Sequence, residues 1–295
     1  MRNLLSANFA RLWRSRLFWI VEAGVFAWGV LAYYLLRVNT ANGYPFVNGN
    51  SYFLNQMTFV GVTIACFSGL FIGTEYSDGT MRNKINVGHS RVTIYLANLV
   101  TVTCAGLAQF AAYTLAALTA GPLLTGDLVW SKLHSLPETF ALAFLSICTS
   151  AAIAVLISMV VQDKAKAVLL NAMLSILILA AGASALKGLL QPPMTERVYN
   201  AGTGEYAYAS EENLGDLEKL GIEMVPNPKY LSGTERKVYE YISAVLPTSL
   251  ALSCSLDEVE NGYDRFSGLQ VFGTLAAVAV LSGSGILVFR KKDLK

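Results

Sequence analysis

Six stretches of this chain are each apolar for about 20 residues, and that fixes the medium it folds in. A helix needs roughly 20 apolar residues to cross the hydrocarbon core of a bilayer. In that medium every backbone polar group must bond within its own segment, so the spanning elements are helices. The stretches run over about 18–36, 53–72, 92–120, 137–161, 167–190 and 269–289. The third is long enough to predict tilt or extension beyond the bilayer. The first is too long for a secretory leader and lacks a small-residue cleavage site, so it is expected to remain as a span. The resulting fold class is an all-α membrane protein with six transmembrane helices.

The charged residues lie between these stretches and predict orientation. Only 14% of residues are charged, against about 25% in soluble domains. Arg2, Arg11, Arg14 and Arg16 precede the first span, and Arg82, Lys84 and Arg91 follow the second. Lys164 and Lys166 follow the fourth, and Arg290, Lys291, Lys292 and Lys295 follow the sixth. All fall on one side; the two short loops of the other side carry only Arg37 and Lys132. The positive-inside rule then predicts a plasma-membrane protein with both termini cytoplasmic. The net charge of +2 gives no reason to expect a nucleic-acid partner.

Outside the spans three segments carry structure. Residues 1–17 place Leu5, Phe9, Leu12 and Trp13 on one helical face, which predicts an amphipathic interfacial helix. Residues 18–190 hold spans one to five, with an unusually long connection over 73–91 whose 78–86 part suits a short helix parallel to the membrane. Residues 191–268 form an extracytoplasmic segment expected to be helical, with thirteen acidic residues against six basic ones, a net of −7. One helix is expected to start at Ser210-Glu211-Glu212. A second is expected over 235–246, capped by Thr234 and ended by Pro247. Its Val238, Tyr241, Ile242 and Val245 share a face expected to pack on the outer mouth of the membrane domain. The acidic excess is either a solvated surface or an attractor for a cationic substrate, with Glu211, Glu212 and Asp216 at its centre. Residues 269–295 supply the sixth span and a basic C-terminus.

Chemistry-bearing residues are few. Glu22 in the first span is either a functional intramembrane carboxylate or the partner of a nearby arginine. Gln109 lies deeper, in the third span. The four cysteines and two histidines form no disulfide framework and no metal-ligand spacing. No G-x-x-x-x-G-K-[ST] string occurs, so no P-loop is present, and no H-E-x-x-H or G-x-S-x-G either.

The connection after the second span reads Glu75-Tyr76, Gly79-Thr80 and Arg82, with Asp78 and Lys84 between and beyond them; Gly88, Ser90 and Arg91 open the third span. The chain closes its sixth span on Phe289-Arg290-Lys291-Lys292-Asp293-Leu294. In this combination the chain resembles the permease subunits of type-2 ABC exporters over essentially its whole length. The resemblance implies a permease that is not itself an enzyme and binds no cofactor. ATP and Mg would sit on two copies of a cytoplasmic ABC ATPase, coupled through Glu75, Tyr76, Asp78, Gly79, Thr80, Arg82, Lys84 and Arg91. A second permease, in a homodimer or heterodimer, would complete the path. The substrate class it implies is peptides or peptide antibiotics; the residues themselves offer Glu22, Gln109, Glu211, Glu212 and Asp216 as candidate contacts. The alternative is a secondary carrier, or a membrane anchor with an extracytoplasmic binding segment. Internal repeats would favour a carrier, and none is visible.

Overall fold

The structure, a computed structural model, describes residues 1–41, 57–125, 136–200, 205–208, 222–254, 259–260, 263–264 and 266–292. It is an all-α membrane protein: among the described residues six helices are long and apolar enough to span a bilayer. They are α2 (Arg16–Ala41), α3 (Met57–Ser77), α5 (Arg91–Thr125), α6 (Leu136–Val160), α7 (Lys164–Leu189) and α10 (Gly268–Lys291). Four shorter helices accompany them: α1 (Arg2–Arg14), α4 (Thr80–Asn86), α8 (Gly233–Val245) and α9 (Pro247–Ser253). The 35 residues of α5 rise about 52 Å at 1.5 Å each, well beyond a hydrocarbon core of about 30 Å.

Helix packing is set by small residues where backbones must approach. Gly69 and Gly73 of α3 lie against the backbone of Val168 and Lys164 in α7, where an added Cβ would come within 2.9 Å of each Cα. Gly61, two turns earlier, faces Ser150 of α6. The small-residue stripe of α3 is therefore spent inside the molecule, on α6 and α7. In α2, Gly29 sits on Tyr113 and Ala116, and Tyr33 sits on Gly121, so α2 and α5 run in the same direction in direct contact.

Contacts between distant segments define a basic end. Asn8 of α1 bonds Asn98 near the start of α5, and Tyr76 at the end of α3 bonds the carbonyl of Met159 at the end of α6. The start of α7 lies on Gly73, and Arg91 at the start of α5 reaches the end of α10. The N-terminal helix is present as a separate element, broken from α2 at an extended Ser15. Its buried face is Leu4, Asn8 and Leu12, with Leu5 and Phe9 partly buried beside them, so the face centres on a polar residue.

The opposite end is closed by α8 and α9. Pro247 ends α8 and begins α9, whose residues are nearly all buried. Its backbone and hydroxyls are taken up by the spans: Ser146 donates to the Pro247 carbonyl at 2.8 Å, and Ser249 donates to the Gly182 carbonyl at 3.1 Å. Thr274 of α10 donates to the carbonyl of Ala244 at 3.0 Å. The α8 helix lies where the sequence places it, but Ser232 rather than Thr234 stands at its N-cap position. Its orientation is the reverse of the expectation. Ser243 and Ala244 are buried, while Val238, Tyr241, Ile242 and Val245 are exposed. Ala244 takes this face because it lets the helix approach Gly273 of α10 closely, and Ser243 shares a hydrogen bond with the Tyr263 hydroxyl. The segment also contains strands that the pattern did not predict. β1 (Met194–Asn200) pairs antiparallel with β2 (Glu205–Tyr208) and β3 (Ile222–Pro226), and β4 (Val259–Glu260) pairs with β5 (Tyr263–Asp264). The helix start proposed at residues 210–212 lies outside the described residues.

Candidate functional site

The basic end is organised around one carboxylate. Glu75 stands in the last turn of α3, and its side chain has 0% exposure. Arg11 of α1 and Lys84 of α4 both form ion pairs with its Oε1. Asn98 of α5 donates to its Oε2 at 3.4 Å, and Lys84 donates on to Asn8 at 3.0 Å. The Arg11 guanidinium also lies 3.7 Å from the centre of the Phe71 ring. One acidic group thus ties together α1, α3, α4 and α5. Burial pulls the Lys84 ammonium and the Arg11 guanidinium below their ordinary values, and the Glu75 carboxylate opposes that by favouring both charged forms.

This geometry changes the reading of Glu75. Its carboxylate faces inward and is enclosed, so it presents nothing to a partner chain. It acts by holding α4 in place. Lys84 is drawn the same way. A turn at Gly79 makes this possible: its φ of +68° is left-handed backbone that residues with a Cβ adopt at a cost. Thr80 begins α4, and Met81 on its inner face is 1% exposed. The residues left outward are Asp78, Arg82, Asn83, Asn86 and Val87, the last 78% exposed.

Tyr76 and Arg91 are helix-end clamps. The last carbonyls of a helix have no partner within it. Tyr76 donates its hydroxyl to Met159, in the last turn of α6, at 2.8 Å. Arg91 donates to the carbonyls of Phe289 at 2.8 Å and Arg290 at 3.3 Å, and also to that of Lys292. Two sequence motifs that are separate along the chain, the start of the third span and the end of the sixth, are one structural unit.

The intramembrane candidates occupy a second place. Thr63 of α3 donates to Gln109 Oε1 at 2.7 Å, while Gln109 Nε2 is buried without a partner. The register of α2 on α5 brings Glu22, seven residues before Gly29, level with the turn that ends at Gln109. Glu22 Oε1 is buried without a hydrogen bond, and no arginine pairs with it among the described residues. Thr63 also lines an apolar groove between α2 and α3 flanked by Trp28 and Phe59. Glu211, Glu212 and Asp216 lie outside the described residues.

Sequence reasoning missed Asn8, Arg11 and Asn98. A signal existed for the asparagines: each interrupts an otherwise apolar helical face, where an amide needs a partner. Compared with protein-family models and with curated proteins, the chain matches none of them.

Proposed function

We propose that this chain is the membrane-spanning permease subunit of an ATP-driven ABC transporter, with the basic end in the cytoplasm. In this reading two copies of a separate ABC ATPase bind ATP and Mg, and a second permease completes the pathway. The observation that carries the reading is the α4 platform: a short helix with an outward polar face, locked from beneath to α1 and to the spans α3 and α5. Closure of the ATPase would press on Arg82, Asn83, Asn86 and Val87. The buried ion-pair hub would carry that displacement to α1, α3 and α5, and Arg91 would carry it to α10. Asp78, Gly79 and Thr80 would set the platform's height.

The substrate path in this reading lies between two permeases. The cavity between α3, α6, α7 and α9 measures only about 20 Å³, room for a water molecule. Resemblance suggests peptides or peptide antibiotics as cargo, exported or cleared for immunity. The Trp28–Phe59 groove, with Thr63 in its lining, offers such an amphipathic substrate an apolar wall.

Purification with the cognate ATPase and reconstitution in liposomes tests the proposal. Arg82→Glu combined with Val87→Asp should leave the permease folded and abolish permease-dependent ATP hydrolysis. Full hydrolysis by this variant, or failure of every P-loop ATPase to bind the wild type, would refute the reading. The buried, unpartnered Oε1 of Glu22 favours a second reading, a proton-coupled carrier. That reading requires transport driven by a pH gradient without any ATPase, and its loss in Glu22→Gln.

A further inference from the structure

A cavity of about 440 Å³ opens at the basic end between α1, α3 and the start of α7, within the range of small-molecule sites, about 300–1,000 Å³. Its rim carries Arg11, Arg14 and Lys164, with Asp78 as the one acidic residue among them. Beneath the rim lie Leu17 and Leu70.

Charge within this region does not balance. Arg11 already shares Glu75 with Lys84, and Arg14 and Lys164 have no carboxylate partner among the described residues. The four cations set against Glu75 and Asp78 leave an excess of +2 at a partly enclosed site. Arg11 also keeps Nε and Nη2 buried with no hydrogen-bond acceptor. A group that brings negative charge and several acceptor oxygens would meet the charge excess.

The depth of the cavity says which kind of anion. Trp13 directly precedes Arg14 and Trp19 follows Leu17 by two residues in the chain; they are 58% and 52% exposed, their rings lie 5.5 Å apart, and Trp19 donates to the Trp13 carbonyl. Paired exposed tryptophans at the start of a span mark the headgroup layer. A polar rim at that depth over an aliphatic floor matches an amphiphile whose phosphate sits at the interface and whose chains continue along the helices. Basic pockets between spans hold anionic headgroups in this way.

We propose that the cavity between α1, α3 and α7 binds an anionic phospholipid, its phosphate held by Arg11, Arg14 and Lys164 and its acyl chains lying on Leu17 and Leu70. The inference is independent of any transport activity. It makes an anionic lipid the counter-ion of the ion-pair hub, and so a determinant of how firmly α1 is seated.

The test uses the full chain in nanodiscs of phosphatidylcholine with or without phosphatidylglycerol, read by native mass spectrometry of retained lipid and by thermal unfolding. The wild type should retain phosphatidylglycerol preferentially and unfold at a higher temperature when it is present. Arg14→Gln with Lys164→Gln should cut that preference on the order of tenfold while unfolding normally in pure phosphatidylcholine. Arg290→Gln with Lys291→Gln, which removes equal charge elsewhere, should retain the preference. No preference in the wild type, or an equal loss in both double variants, would overturn the proposal. Stabilisation by inorganic phosphate in pure phosphatidylcholine equal to that by the lipid would show a free-anion site and reject the lipid.

Discussion

Glu75→Gln is the sharpest perturbation the basic end allows. The substitution keeps the size of the side chain and removes the one negative charge that two partly buried cations share. Removing one partner of a buried pair costs about 3–5 kcal/mol, because the remaining charge is left without compensation. Here two cations are left, but Arg11 keeps 31% of its side chain exposed to water, so the lower part of that range is expected. Lys84→Met should be far milder. It leaves Glu75 matched one to one with Arg11, and it removes an ammonium whose burial is itself unfavourable. The cost should fall to less than half that of Glu75→Gln. The double variant then carries the decisive sign: with one of the two repelling cations gone, Glu75→Gln/Lys84→Met should be more stable than Glu75→Gln alone. Unfolding midpoints of the four proteins in nanodiscs give the cycle directly. A Glu75→Gln protein as stable as wild type, or a double variant less stable than Glu75→Gln, would refute the hub.

Three further outcomes follow from the same structure. Arg91→Ala should free the last carbonyls of α10 and cost about 1–3 kcal/mol, seen as faster proteolysis or amide exchange confined to the end of that helix. Gly73→Ala places a Cβ 2.9 Å from the Lys164 Cα and should destabilise the α3–α7 contact by about 1–3 kcal/mol, with Gly73→Val worse, by thermal unfolding. In a background with Cys66, Cys104, Cys148 and Cys254 replaced, an impermeant thiol reagent added to intact cells should label cysteine at Ser232 and spare Ser77 and Lys292; labelling at Ser77 would invert the assigned orientation.

The spans were legible because length and hydropathy are local properties. The apolar run expected over 137–161 is the helix Leu136–Val160, and that expected over 269–289 is Gly268–Lys291. The short helix after the second span was legible too, because Gly79 and Gly88 bracket it. What each charged residue faces was not. Glu75 and Asp78 are three residues apart in one polar stretch, yet one is enclosed and the other exposed. The difference depends on α1 and α5 lying against the last turn of α3, which no window of sequence contains. The α8 face failed for a related reason: its most apolar stripe is not its most closely packed one. The strands in residues 194–226 have too little alternation of apolar residues to announce themselves, since Thr195, Glu196 and Arg197 interrupt β1.

The Arg91 clamp spans 198 residues between donor and first acceptor, and that separation has a consequence for synthesis. During translation at about 5–20 residues per second, the carbonyls that Arg91 needs do not exist until ten seconds or more after Arg91 itself has been made. The Glu75 hub draws only on residues up to Asn98 and can close early. The protein is thus assembled with one end of its third span held open until the last helix arrives. A quality-control protease with access to the basic end would find the start of the third span unclamped in every chain whose final span has not inserted.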